Sequence, residues 1–447
     1  MIRIVFSLIV AVAIFAPELA LAIPAFAKKY EAPCTLCHSS WPRLNDFGMK
    51  FKMNGYQPPN QEDGGETGKF SPVKNLFMDI GLANPPVSIM LEGGLTAMQS
   101  GSGPEKDERT DKYFCCVNGN SVTVDVGGSA GPNIAYWISL AWGQEEVEQA
   151  NLRFVNFFGK GTMNVDVGVL KVIDYDVVGA GREWFASPLV AFYGSPYNLN
   201  AQEIGMNSHH NDTGVRFYGR PGYEKLTYEL AIYTGNRITN EGEDDNKFAY
   251  TFMGRLDLGK FAVSARYWNN ETGAVNHTAR LSSGETLIFP GDIRNVDEQT
   301  DEFLISARYS HPRFEVDLTL DSTTYKVNDR TALDSAGVSH TLAQENLQRL
   351  GISASVIWFI NSWFETGISY GSSSTDPYSR TLDGVTTKVN SMDVGMIQWR
   401  LGIQPTMNMK LGLEIQYDMS DSASRTQVDG DKFGEQHKVM FHWDLAI

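Results

Sequence analysis

Phe314-Glu315-Val316-Asp317-Leu318-Thr319-Leu320-Asp321 changes character at every residue. Successive side chains of an extended chain point to opposite faces, so Phe314, Val316, Leu318 and Leu320 share one face and the polar residues share the other. In a helix the same residues would scatter around the circumference, so a period of two reads as a strand. Leu226, Tyr228, Leu230 and Ile232 alternate in the same way with Thr227, Glu229, Ala231 and Tyr233. So do Leu411, Leu413, Ile415 and Tyr417 with Gly412, Glu414, Gln416 and Asp418. Working outward from these runs, the chain beyond residue 86 predicts sixteen strands: 86–99, 120–128, 132–143, 151–158, 162–172, 212–219, 225–234, 247–258, 261–269, 301–310, 313–323, 346–358, 362–372, 391–403, 408–418 and 435–447.

The connections carry as much information as the strands. Gly159-Lys160-Gly161, Gly259-Lys260, His311-Pro312 and Gln404-Pro405 are short, whereas 173–211, 270–300, 324–345, 373–390 and 419–434 are long. Alternation of short and long connections is expected where hairpins face two compartments, with tight periplasmic turns and long outer loops. The last strand alternates to the end of the chain, with Val439, Phe441, Trp443, Leu445 and Ile447 on one face. Tyr233, Tyr267, Trp268, Tyr309 and Tyr417 lie near strand ends, where interfacial girdles are expected. The 42 glycines and 24 phenylalanines fit an aromatic, turn-rich all-β chain. The expected fold is therefore all-β: a transmembrane antiparallel barrel of about sixteen strands over 86–447. A net charge of −16 argues against a nucleic-acid partner, whose phosphates would be repelled. The partner expected of the outer face is outer-membrane lipid.

The first 80 residues have a different organisation. Arg3, the apolar run Ile4 to Ala16 and Ala20-Leu21-Ala22 read as a secretory signal peptide over 1–22, too short to span a bilayer. With the barrel behind it, export to the outer membrane of a Gram-negative bacterium is expected. Residues 23–80 predict a small, mainly helical domain, with a short amphipathic helix over Leu44 to Met53 and a polar stretch from Asn54 to Gly68. This domain opens on Cys34-Thr35-Leu36-Cys37-His38. A c-type haem needs two thiols for its thioethers and a histidine directly after the second, which Cys34, Cys37 and His38 provide. A thioredoxin motif would lie within a βαβ unit, and a zinc site would want a second pair nearby, but the next histidines are His209 and His210. His38 is thus the expected proximal axial ligand. On the other side of the iron, Met53 is one candidate and Met49 and Met78 are the alternatives. Core packing competes for all three. A thioether ligand would raise the reduction potential. Cys115 and Cys116, expected in the first outer loop, read as a structural pair rather than a redox relay. The acidic run Glu241 to Asp245 reads as a solvated loop before it reads as a cation site.

Ile23-Pro24-Ala25-Phe26-Ala27-Lys28-Lys29-Tyr30, the haem motif, Pro42 to Gly48 and Phe51 to Tyr56 together resemble the fused monohaem cytochrome–porins, outer-membrane c-type cytochromes of iron-oxidising bacteria. The resemblance implies one covalently bound c-type haem on Cys34, Cys37 and His38, held in or against the barrel lumen. It implies electron uptake from extracellular ferrous iron, a ferrous iron oxidase activity. The electrons would pass to a periplasmic carrier such as a soluble cytochrome c or a copper protein. Other readings stay open on the residues alone: a conduit with another donor or the outward direction, a diffusion porin whose haem domain is a plug, or peroxide chemistry at an open distal position.

Overall fold

The structure, a computed structural model, describes residues 26–59 (less 28–29, 31 and 41–42), 87–102, 110–117, 121–177 (less 132 and 143–145), 211–235, 248–272, 277–280, 286–289, 298–389 (less 344), 392–419 (less 407–408) and 433–446. The signal-peptide region, Met78, His209, His210 and the Glu241 to Asp245 run lie outside them.

Wherever the sequence alternates, the chain is extended. The barrel strands are β1 (Val87–Ser102), β2 (Thr110–Val117 continued by Ser121–Gly131), β3 (Ile134–Trp142), β4 (Glu146–Phe157), β5 (Met163–Lys171), β6 (Asn211–Gly219), β7 (Leu226–Tyr233) and β8 (Ala249–Leu258). They continue as β9 (Phe261–Thr272), β10 (Glu298–His311), β11 (Phe314–Val327), β12 (Glu345–Phe359), β13 (Phe364–Thr375), β14 (Met392–Thr406), β15 (Met409–Asp418) and β16 (Phe433–Ala446). The two segments of β2 form one stave because both run antiparallel along β1: Val117 lies opposite Leu95, and Ser121 opposite Glu92. Each strand pairs antiparallel with its neighbour in sequence, and β16 closes on β1 with Phe441 opposite Leu95. The result is the closed sixteen-stranded barrel that the alternation predicts. Closure leaves no free edge, so the main-chain donors and acceptors of the wall are paired, as a hydrocarbon surround requires.

Burial is inverted relative to a water-soluble protein. On β7, Leu226 and Ile232 are 53% and 46% exposed while Thr227 and Glu229 are each 1% exposed. On β11, Leu318 and Leu320 face out and Asp317, Thr319 and Asp321 face in. An apolar exterior around a charged interior is the surface of a barrel that spans a membrane. No helix of the described residues is long and apolar enough to cross one; here the strands cross.

Four expectations need correction. Tyr267 and Tyr417 are exposed on the outer face as girdle residues, but Tyr233 and Trp268 are fully buried in a cluster with Leu170, Val172 and Ala249. Their strand parity is that of the lumen-facing Glu229 and Arg266, and parity decides the face whatever the residue type. Cys115 and Cys116 lie in the first segment of β2, with Cys115 opposite Thr96, rather than in an outer loop. The predicted long loops hold structure of their own. His277–Arg280 pairs with Thr286–Phe289, and Arg330–Leu333, Ser339–Leu342, Tyr378–Leu382 and Val385–Val389 form a four-stranded sheet. Finally, the connection after β5 turns inward: residues 172–177 are buried, with Asp176 on Arg266 and the Val177 N–H donating to Ser264 Oγ.

Candidate functional site

Cys34–Leu36 forms a single 3-10 turn, entered from extended Pro33 and closed by the Cys37 N–H donating to the Cys34 carbonyl at 3.1 Å. Residues three apart eclipse in this geometry, so one short turn puts Cys34 and Cys37 on the same side. His38 follows directly and begins the two-stranded ribbon His38–Ser40/Arg43–Leu44, with His38 opposite Leu44. Leu44 therefore lies in that ribbon, and the predicted helix begins two residues later, as α1 (Asp46–Met53).

Asn45 joins the motif to the helix. Its N–H donates to the Cys37 carbonyl (2.9 Å), and its Nδ2 donates to the carbonyls of Leu36 (3.0 Å) and Thr35 (3.3 Å). Its Oδ1 accepts from the Gly48 N–H (2.9 Å), which caps α1. Gly48 is the residue that permits this approach: a Cβ there would stand 2.1 Å from the Cys37 carbonyl oxygen. Cys34 and Cys37 are thiols, not joined in a disulfide. Burial pushes the Cys34 thiol up, and burial together with the neighbouring Cys34 pushes Cys37 up to about 11.

The segment sits inside the barrel at its short-turn end. On one side Arg43 is buried and paired with Glu315 and Asp317 at the start of β11; Arg308 of β10 shares Asp317. On the other, Asp46 pairs with Arg220 (2.9 Å), Lys52 with Asp174, and the Asn54 side chain meets Asn156 and Tyr223. Asn164 Nδ2 donates to the Met53 carbonyl (3.0 Å), and Arg153 Nη1 to that of Lys52 (3.2 Å). Burial would raise the Asp174 carboxyl, but Lys52, Arg216 and Arg153 hold it well below the usual carboxylate range. Apolar packing completes the seat. Phe26 stacks on Tyr56 and Trp137, and Phe51 and Tyr56 pack on Ala135 of β3.

Of the sequence-predicted site residues, Cys34, Cys37 and His38 come together at this turn, each partly buried, with Thr35 and Leu36 exposed beside them. Cys37 borders the cluster of Phe51, Tyr56 and Ala135. Met49 and Met53 are fully buried in a different cluster, with Tyr175, Tyr218 and Met253. Among the described residues, no group of three or more His, Cys, Asp or Glu side chains could hold a bare metal ion. The donor set fits a covalently attached haem instead: two thiols on one face of a turn, an adjoining imidazole, and a fixed main chain. What sequence reasoning missed is the clasp: Arg43 with Glu315 and Asp317, and Lys52 with Asp174. Each of these is an ordinary polar residue until the fold supplies its partner.

No protein-family model matches the chain. No curated protein matches it. Solved structures do. The outer-membrane-expressed OmpT of Vibrio cholerae superposes with a TM-score of 0.51 at 10% identity, over 81% of this chain and 97% of that one. In-vitro-folded OmpT of Vibrio cholerae gives 0.51 at 11% identity over the same shares. An anion-selective porin from Comamonas acidovorans gives 0.49 at 11% identity, over 81% and 98%. At such identities the likeness is one of fold: this chain has an outer-membrane β-barrel fold of the kind that OmpT has.

Proposed function

We propose that the chain is an outer-membrane monohaem cytochrome–porin that takes electrons from extracellular ferrous iron and hands them to a soluble periplasmic carrier. The observation that carries this reading is the thiol turn: Cys34 and Cys37 on one face, His38 next to them, and Asn45 holding three of the surrounding carbonyls, all within the mouth of a membrane barrel. Cys34 and Cys37 would hold a haem by thioethers, and His38 would ligate its iron. When bound, the haem supplies one-electron redox chemistry. The chain's own residues supply the rest. Asn45 and Gly48 fix the turn against α1, Arg43 and Lys52 anchor the unit across the lumen, and the packing of Phe26, Phe51 and Tyr56 keeps water from one side of it. A haem held by this turn would lie at the short-turn mouth, open to the periplasmic carrier, with the lumen as the route by which ferrous iron would reach it.

The test is a redox titration of the purified protein. Haem staining on a denaturing gel should persist in the parent and vanish in Cys34→Ser/Cys37→Ser. Ferrous iron added to the oxidised protein should produce the absorbance of reduced haem. Absence of covalent haem in protein matured with a c-type assembly system would overturn the reading. Covalent haem that ferrous iron fails to reduce would keep the conduit but require another donor.

A further inference from the structure

Seven tight turns ring the plugged end of the barrel, and their charge is unevenly distributed. The four consecutive turns from β4–β5 to β10–β11 carry Lys160, Lys225, Lys260 and Arg313, all exposed, against the single exposed acid Glu224. The other three turns, with Pro132-Asn133, Ile360-Asn361-Ser362-Trp363 and Met407-Asn408, carry no charge. The N-terminal segment's ion pairs to the barrel reach this sector, while its aromatic packing reaches Ala135 and Trp137 of β3, beside the uncharged turn at 132–133. Asp46 pairs with Arg220, which opens the turn bearing Lys225, and Arg43 pairs with Glu315, two residues beyond Arg313. Asn54 bonds Asn156 beside the turn bearing Lys160. At the same mouth the thiol turn presents Pro33, Thr35 and Leu36 to solvent.

We infer that this arc is a docking surface for a soluble redox protein with an acidic patch around its own redox centre. The electron-carrying role of that partner rests on the function proposed above; the docking geometry does not. Phosphate headgroups are the competing source of negative charge, but the lipid annulus meets all seven turns alike. Confining the cations to one sector of the rim, the sector that Arg43 and Asp46 anchor to, suits a ligand approaching the lumen mouth from that side. The net charge of −16 does not cancel the local attraction. Fields are screened over about 8 Å at physiological ionic strength, and the far end of the barrel is about 25 Å away. A charged rim of this kind mainly accelerates encounter and makes it salt-dependent.

The test uses the full chain in nanodiscs of zwitterionic lipid. Binding of an acidic single-haem cytochrome is measured by interferometry beside the same cytochrome with its carboxylates amidated. The acidic form should bind, weaken severalfold between low and physiological salt, and be displaced by poly-glutamate but not by polylysine. The amidated form should bind at least tenfold more weakly. Lys160→Glu/Lys225→Glu/Lys260→Glu/Arg313→Glu should cost at least tenfold in affinity, and Lys388→Glu, on the outer sheet at the opposite end, should cost nothing. Equal binding of the two cytochromes by the parent protein overturns the inference without any variant. So does a quadruple variant that keeps its affinity for the cytochrome and loses only a preference for phosphatidylglycerol nanodiscs, which would make the arc a headgroup site. Intact docking by a protein that carries no covalent haem would instead overturn the proposed function and leave the docking surface standing.

Discussion

The barrel wall and the segment it encloses are stabilised in different ways. The wall is a repeated ladder: sixteen antiparallel pairings, each contributing modestly, with an outer face matched to lipid. The enclosed segment, 26–59, has a single helix of eight residues and is held by a few specific bonds to side chains far away in sequence. A ladder spreads the cost of a substitution, whereas a clasp concentrates it on Arg43, Gly48 and Lys52. The two regions should therefore respond differently to mutation.

The sharpest break comes at Arg43. Arg43→Ala leaves Glu315 buried without its cation, while Asp317 keeps Arg308. Loss of one partner of a buried pair costs about 3–5 kcal/mol. Residues 26–59 should become protease-sensitive and single-channel conductance should rise, while the heat-modifiable gel shift of the wall stays put; a concurrent loss of that shift would show that plug and wall unfold together. On the wall, Leu230→Arg places a charge on the lipid face at a cost of about 2–4 kcal/mol. Folding yield into vesicles should fall, with haem attachment in the folded fraction unchanged. Gly48→Ala drives a methyl against the Cys37 carbonyl, an overpacking cost of about 1–3 kcal/mol. On the proposed function, covalent haem per folded barrel should drop, and an unchanged yield would mean that the turn need not contact α1 for attachment.

Met53→Leu conserves volume and should cost less than about 1.5 kcal/mol in the Tyr175–Tyr218–Met253 cluster. A fall in midpoint potential would move Met53 to the iron, and a constant potential keeps it in the packing. The mildest effect concerns the outer sheet, where His340 Nδ1 meets Asp383 and Nε2 meets Asp334 at 3.2 Å. Hydrogen bonds to Asp383 and then Asp334 raise the imidazole pKa above its ordinary value. The stabilisation is thus complete below that ordinary pKa and is lost as pH rises through the raised one. Both carboxyls are held low, Asp383 by the Thr341 N–H and Asp334 by the Val338 N–H before His340 adds to either, so the pairing persists into acid until pH falls through their depressed values. Hydrogen exchange over 330–342 and 378–389 should quicken on the alkaline side beyond the intrinsic rate, and His340→Gln should flatten that dependence.

The same contrast explains what was legible in the sequence. Period two in Phe314 to Asp321 or Leu226 to Tyr233 located the staves, because a strand's two faces are set by parity alone. Parity also assigned Tyr233 to the face of Thr227 and Glu229, and the girdle expectation failed by weighing its aromatic ring above its position. The inward turn of 172–177 left no periodic trace, since its burial depends on Arg216, Arg255 and Arg266 of other strands. That Cys34, Cys37 and His38 lie together at one turn was readable because their spacing is local. Arg43 with Glu315 was not, because no local rule relates residues 272 positions apart.

That interval also sets an order of events. Residues 26–59 leave the ribosome before any barrel strand, yet their Arg43 anchor belongs to β11 and cannot be engaged until that strand is in place. Contacts across so long a stretch of chain form slowly, since loop closure must precede their reward. A segment made before every barrel strand is thus fully anchored only after β11 has joined the wall. Until then the thiol turn is open to whatever chemistry modifies it, and once the barrel closes around it that access narrows to the mouth.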